Sequence, residues 1–110
     1  MVLKNILCAL FLVLAPTLAL AQELDTFTIV IRNHQFEPVE TIIPAGKKVK
    51  LIIDNQDPTP EEFESHDLNR EKVISGGKQG IVFVGPVKKG TYKFVGEFHE
   101  ATAKGVIIAQ

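Results

Sequence analysis

The chain has 110 residues, with 12 basic and 13 acidic side chains, a net charge of −1, one cysteine and no tryptophan. That size and near-neutrality fit one small domain and argue against nucleic acid or an anionic membrane surface as partner. A single cysteine cannot form an internal disulfide, so the fold must hold on its core alone.

The N-terminus reads as a secretory signal. Lys4 supplies the positive region, Ile6 to Leu14 the apolar stretch, and Ala19-Leu20-Ala21 the small-x-small cleavage pattern. Cleavage after Ala21 leaves a domain from Gln22 to Gln110 and removes Cys8 and Lys4. The apolar run is broken by Pro16 and is shorter than the roughly 20 residues that span a bilayer. The expected location is a bacterial periplasm, with contact to a membrane only through a partner.

After the signal come short strands separated by proline and glycine punctuation. Thr26 to Ile31 alternates and is rich in β-branched residues, which predicts a strand. Asn33 to Pro38 interrupts it, Glu40 to Ile43 forms the next strand, and Pro44-Ala45-Gly46-Lys47 turns the chain. Lys48 to Asp54 alternates again and ends at the loop Asn55–Pro60. The stretch Glu61 to Gly77 carries no clear strand period, and Leu68 to Lys72 is expected to form a short helical turn. Ile81 to Val84, Tyr92 to Val95 and Gly105 to Ala109 complete the strands. This spacing predicts an all-β, single-domain Greek-key sandwich or barrel.

Placing the Pro44–Gly46 and Lys89–Gly90 turns at one end sends three polar segments to the other. These are His34, Glu61 to Ser65, and Glu97 to Glu100. Loops on a rigid scaffold are where sites tend to lie. Strict alternation puts Glu62 and Glu64 on one face of their segment and Glu61, Phe63 and Ser65 on the other. Glu97 and His99 share a face if their segment is extended. Phe36, Phe63, Phe94 and Tyr92 read as core.

The chain from about Thr26 to Ala109 resembles the cupredoxin fold. Within it, the chain is similar to the small periplasmic cupredoxin-like proteins that accompany bacterial ferrous-iron permeases. The residues carrying this are His34-x-Phe36-x-Pro38, Ile43-Pro44-Ala45-Gly46, the run Pro60-Glu61-Glu62-Phe63-Glu64-Ser65 with Asp67, Leu68, Arg70, Glu71 and Lys72, and Gly90-x-Tyr92-x-Phe94-x-Gly96-Glu97-Phe98-His99. Against a blue-copper pattern the departures are specific. Glu61 stands where the first histidine belongs, Gly96 replaces the cysteine, His99 matches the second histidine, and no methionine follows. Blue copper needs a His-His-Cys set, so a blue (type 1) centre is excluded.

The resemblance therefore implies a thiolate-free metal site drawn from His99, Glu97, Glu61, Glu62, Glu64 and His34, with His66, Glu100 and Asp67 as weaker candidates. Such O/N donors suit Cu(II) or iron and do not suit Cu(I). The motif favours Glu61, whereas strand phase leaves Glu62 and Glu64 open. The implied function is assistance to an iron uptake system, by oxidation of iron or its hand-over to a permease partner. Two other readings fit the residues: a metal-free sandwich whose top loops dock a periplasmic partner, or a copper or zinc carrier unconnected with iron. Convergence of His34, His99, Glu97 and Glu61 or Glu62 on one point separates metal from docking.

Overall fold

The computed structural model describes residues 9–13 and 23–110. The signal's basic residue, its cleavage site at Ala19–Ala21 and Cys8 lie outside the described residues. No helix among the described residues is long and apolar enough to cross a membrane.

Among the described residues, nine strands build two facing sheets. They are β1 (Thr26–Arg32), β2 (Gln35–Glu37), β3 (Glu40–Ile43), β4 (Val49–Asn55), β5 (Glu61–Ser65), β6 (Arg70–Ile74), β7 (Gln79–Val84), β8 (Gly90–Val95) and β9 (Lys104–Ala109). One sheet has the order β2-β1-β4-β7 and the other β3-β9-β8-β5-β6. β1 runs parallel to β4 and β3 parallel to β9; the other pairings are antiparallel.

Alternation of burial explains why these segments are strands. In β4, Val49, Leu51, Ile53 and Asn55 are buried while Lys50, Ile52 and Asp54 are half-buried. In β7, Gly80, Val82 and Val84 are buried between exposed neighbours. The inward side chains of both sheets, including Ile29, Ile31, Leu51, Ile53, Phe63, Phe94 and Ile107, interdigitate in one core. Burying such side chains contributes about 1.5–3 kcal/mol each before entropy is counted.

At one end of the sandwich the Ala45-Gly46 turn is tied down, with the Gly46 amide donating to Val87 O at 2.8 Å and the Ala45 amide to Gln110 O at 3.1 Å. The other end carries the Asn33-His34 turn, the loop before β5 and a single 3-10 turn at Glu97–His99. Beneath that end lie three aromatic rings. Phe94 packs edge-on against Phe36 at 4.9 Å and tilted against Phe63 at 4.8 Å. Gly105 makes room for this, because a Cβ there would come 2.2 Å from the Phe94 ring.

Two expectations change in the middle of the chain. Glu61 to Gly77 is not irregular: β5 and β6 form an antiparallel hairpin, with Ser65 opposite Arg70 and Glu64 opposite Glu71. The expected helical turn at Leu68–Lys72 is instead a tight turn, closed by the Asn69 amide on His66 O at 3.1 Å with Asn69 at φ 53°. β6 starts directly after it. The period was hidden because four of the five β6 residues are exposed, so apolar alternation is absent.

Candidate metal centre

The site is built on a tight turn. Asn33 and His34 join β1 to β2 as a two-residue hairpin turn, with φ of 52° and 58°. Positive φ at both positions defines a type I′ turn, a conformation uncommon for residues other than glycine and tolerated best by residues such as asparagine and histidine. The clamp is Asp57, whose Oδ1 accepts the Asn33 amide at 2.7 Å and Oδ2 the His34 amide at 3.0 Å. Burial works against ionisation of Asp57. The amides of His34 and Asn33, the Glu61 side chain and the His34 charge outweigh it, holding its carboxyl below the ordinary 3.8.

Asp57 is in turn fixed by Asn55, the buried last residue of β4. Asn55 Oδ1 accepts the Asp57 amide at 2.9 Å, while its Nδ2 donates to the carbonyls of Thr59, Ile74 and Ser75. One side chain thereby shapes the whole loop that delivers β5. Alternation then aims Phe63 into the core, Glu61 to the same side, and Glu62 and Glu64 away from it.

Glu61 is fully buried, and both its oxygens are used. Oε1 lies 2.6 Å from His34 Nδ1, and Oε2 lies 3.1 Å from His99 Nδ1. The two imidazoles stack, with centroids 3.5 Å apart and planes 17° off parallel. His99 is delivered by the 3-10 turn; its amide donates to Gly96 O at 2.9 Å and its carbonyl accepts Ala103 N at 2.8 Å. A carboxylate at this depth is stable only when paired. Protons can bridge it to the two rings, and so can a cation in their place.

The ligand atoms of His34, Glu61 and His99 all lie within 4.8 Å of one another. The two imidazole nitrogens lie 2.6 and 3.1 Å from the Glu61 oxygens, close to the about 2.8–3.0 Å that separates cis ligands held about 2.0–2.1 Å from a metal. This N₂O set fits non-blue copper. It does not fit a blue site: Gly96 occupies the thiolate position, and a Cβ there would approach Ala103 Cβ to 2.8 Å and Glu62 O to 3.2 Å.

The six candidate ligands thus divide. His34, Glu61 and His99 converge. Glu97 does not join them, because the segment Glu97–His99 is a 3-10 turn and not extended, and residues two apart on such a turn face different ways. Glu97 instead meets Glu62, Glu64 and Glu71, whose ligand atoms also lie within 4.8 Å of one another. Burial, then Glu71 and Glu97, push the Glu62 carboxyl up to about 8. Burial and the nearby Glu97 charge raise Glu64 as well, while His66, 3.3 Å away, opposes this. Asp67 accepts the Lys93 amide at 2.9 Å and is structural. Two contributors were not among the candidate ligands, Asp57 and Glu71. A hairpin register through Asn69 would have put Glu71 opposite Glu64; nothing local marked Asp57.

The model of the cupredoxin-like domain family matches residues 5–109. The chain belongs to the cupredoxin-like domain family. An uncharacterized protein of Rickettsia prowazekii (strain Madrid E) is 45% identical over 80 residues, covering 73% of this chain and 64% of that protein. Among solved structures, auracyanin A, a blue copper protein of Chloroflexus aurantiacus, shares 14% identity at a TM-score of 0.69, over 80% of this chain and 100% of that one. A purple cupredoxin of Nitrosopumilus maritimus shares 21% identity at a TM-score of 0.59, over 76% and 98%. At these identities the structural likeness shows the fold alone. The residues at the site, and not the fold, decide what it can bind.

Proposed function

We propose that this cupredoxin-like protein is exported and binds one Cu(II) through His34, Glu61 and His99. The observation that carries the reading is the buried Glu61 carboxylate with an imidazole Nδ1 on each oxygen. A metal-free docking module would leave the top loops free to splay, whereas here three donors from three separate segments face one point. Export is supported by the Lys4, apolar-run and Ala19–Ala21 pattern.

The protein serves a bacterial iron-uptake system, working beside a ferrous-iron permease. Support for this comes from the resemblance carried by Glu61 to Lys72 and from the donor chemistry. When bound, copper supplies a one-electron couple. The protein's own part is to hold that ion with a carboxylate and two imidazoles, to orient His34 through Asp57, and to keep Glu61 away from water. The anionic Glu61 carboxylate among these donors favours the higher charge state of a bound ion by plain Coulomb attraction.

The testing experiment follows consumption of ferrous iron under air by copper-loaded protein and by copper-loaded Glu61→Gln. Accelerated loss of Fe(II) that disappears in the variant supports iron oxidation. Equal rates for both would overturn it and leave copper carriage as the function.

A further inference from the structure

The four-stranded sheet turns one face to the core and the other to solvent, and the outward face is apolar where β4 and β7 meet. Ile81 and Phe83 point outward from β7 and are 46% and 44% exposed. The register sets Ile81 beside Ile52 of β4, which stands beside Thr28 of β1, so three strands contribute one row. Phe83 and Lys50 share the next outward row toward one end, Val30 and Asp54 the next toward the other. A sheet face left to water ordinarily carries polar residues, so Ile52, Ile81 and Phe83 mark a face suited to being covered.

The charges on this face are sorted along it. Lys50 lies at one end, and Lys48 joins it there with its Nζ 4.8 Å from the centre of the Phe83 ring. Neither lysine forms an ion pair among the described residues, and neither does Asp54 at the other end. Arg32, also at that end, is occupied by Gln56 and by Glu37 at 3.8 Å. Ile52 stands midway between Lys50 and Asp54 on β4. A two-fold axis crossing the strands along the Thr28–Ile52–Ile81 row lays β4 antiparallel on β4. Ile52 then meets Ile52, Ile81 meets Ile81, and each Lys50 meets the Asp54 of the other copy. An axis running along β4 would instead set Lys50 on Lys50, which like charge disfavours.

We propose that this face is a self-complementary docking surface on which two copies of the chain stack face to face about the axis that crosses the strands. Edge-to-edge pairing is a poorer route, because the edge strand β7 already has its Phe83 carbonyl taken by Arg70 Nε at 2.8 Å. The outward face of the other sheet is unsuited to a second copy, since Glu62, Glu64, Glu71 and Glu97 gather there. Four strands about 4.8 Å apart and about 20 Å long give a footprint at the small end of specific interfaces, which fits micromolar association and not an obligate dimer. The face excludes the loop end that carries His34 and His99, so stacking leaves the metal centre reachable in both copies.

The test is sedimentation equilibrium of the purified exported protein and its variants, from micromolar to millimolar concentrations. Ile81, Lys50 and Asp54 lie outside the core, and thermal melts verify that their variants fold. The parent should show a monomer–dimer equilibrium, and Ile81→Glu, Lys50→Glu and Asp54→Lys should each weaken it at least about tenfold. An equimolar mixture of Lys50→Glu and Asp54→Lys should regain association within about threefold of the parent, because both contacts then join opposite charges again. Cu(II) affinity of Ile81→Glu should match the parent's. A parent that stays monomeric at millimolar concentration overturns the proposal and leaves the face to another protein or to water. So do charge variants that associate like the parent, or a mixture that associates no better than its components.

Discussion

Replacing Glu62 by glutamine should stabilise the metal-free protein, and only at higher pH. Glu62 is 2% exposed, and burial, Glu71 and Glu97 raise its carboxyl from the ordinary 4.5 to about 8. Each tenfold change in proton affinity is worth about 1.4 kcal/mol, so ionising it in place costs at most ~5 kcal/mol. Solvent reaching the outer carboxylates screens part of that cost and leaves ~2 kcal/mol. The sign follows from linkage. A raised acid is still protonated when folded while the unfolded chain has already ionised, so its favourable contribution is whole below 4.5 and lost as pH climbs to about 8. Glutamine does not titrate, and its amide can donate to Glu71 or Glu97. Urea unfolding with a chelator present should therefore show nearly equal stabilities at pH 4.5 and a gap of ~2 kcal/mol favouring Glu62→Gln at pH 9. A gap that is the same at both pH values, or a variant less stable at pH 9, would refute the reasoning.

Asp57→Ala removes the acceptor for two amides of a left-handed turn, and hydrogen bonds to a charged group are worth about 1.5–3 kcal/mol each. Urea unfolding at pH 7 should show a loss of ~2–4 kcal/mol, and Cu(II) calorimetry a drop of about tenfold as His34 loses its anchor. Because Asp57 has a depressed carboxyl, its contribution is present above 3.8 and lost as pH falls below it, so parent and variant should converge in acid. Gly96→Cys should not create a blue centre. Its Cβ would crowd Ala103 at 2.8 Å, costing about 1–3 kcal/mol, and the copper form should lack an intense visible band. A stable, strongly blue variant would contradict the assigned backbone geometry.

Much of the fold could be read from the chain because apolar alternation marks β1 and β4 plainly and an apolar run marks β9. So could the gathering of His34, Glu61 to Ser65 and Glu97 to Glu100 at one end, since turn positions fix which loops share an end of the sandwich, although the choice among Glu61, Glu62 and Glu64 stayed open. What could not be read is where polar contacts override pattern. β6 carries its register in Glu71 and Lys72 and not in apolar residues, so the hairpin that assembles the second cluster was invisible. The Glu97–His99 segment follows a strand but curls, because its amides find partners within the turn, the His99 amide on Gly96 O. That single bend sends Glu97 and His99 to different clusters. Asp57 acts through backbone amides 23 and 24 residues away, a contact no local motif announces.

The most direct test of the account is a Cu(II) titration followed by electron paramagnetic resonance, comparing the parent with Glu61→Gln and His99→Ala. One equivalent should bind with an ordinary nitrogen- and oxygen-ligated spectrum and no blue absorption, and each variant should lose at least about tenfold in affinity. Copper bound equally well by both variants, or a sulfur-ligated spectrum, would contradict the assignment of His34, Glu61 and His99 as the centre.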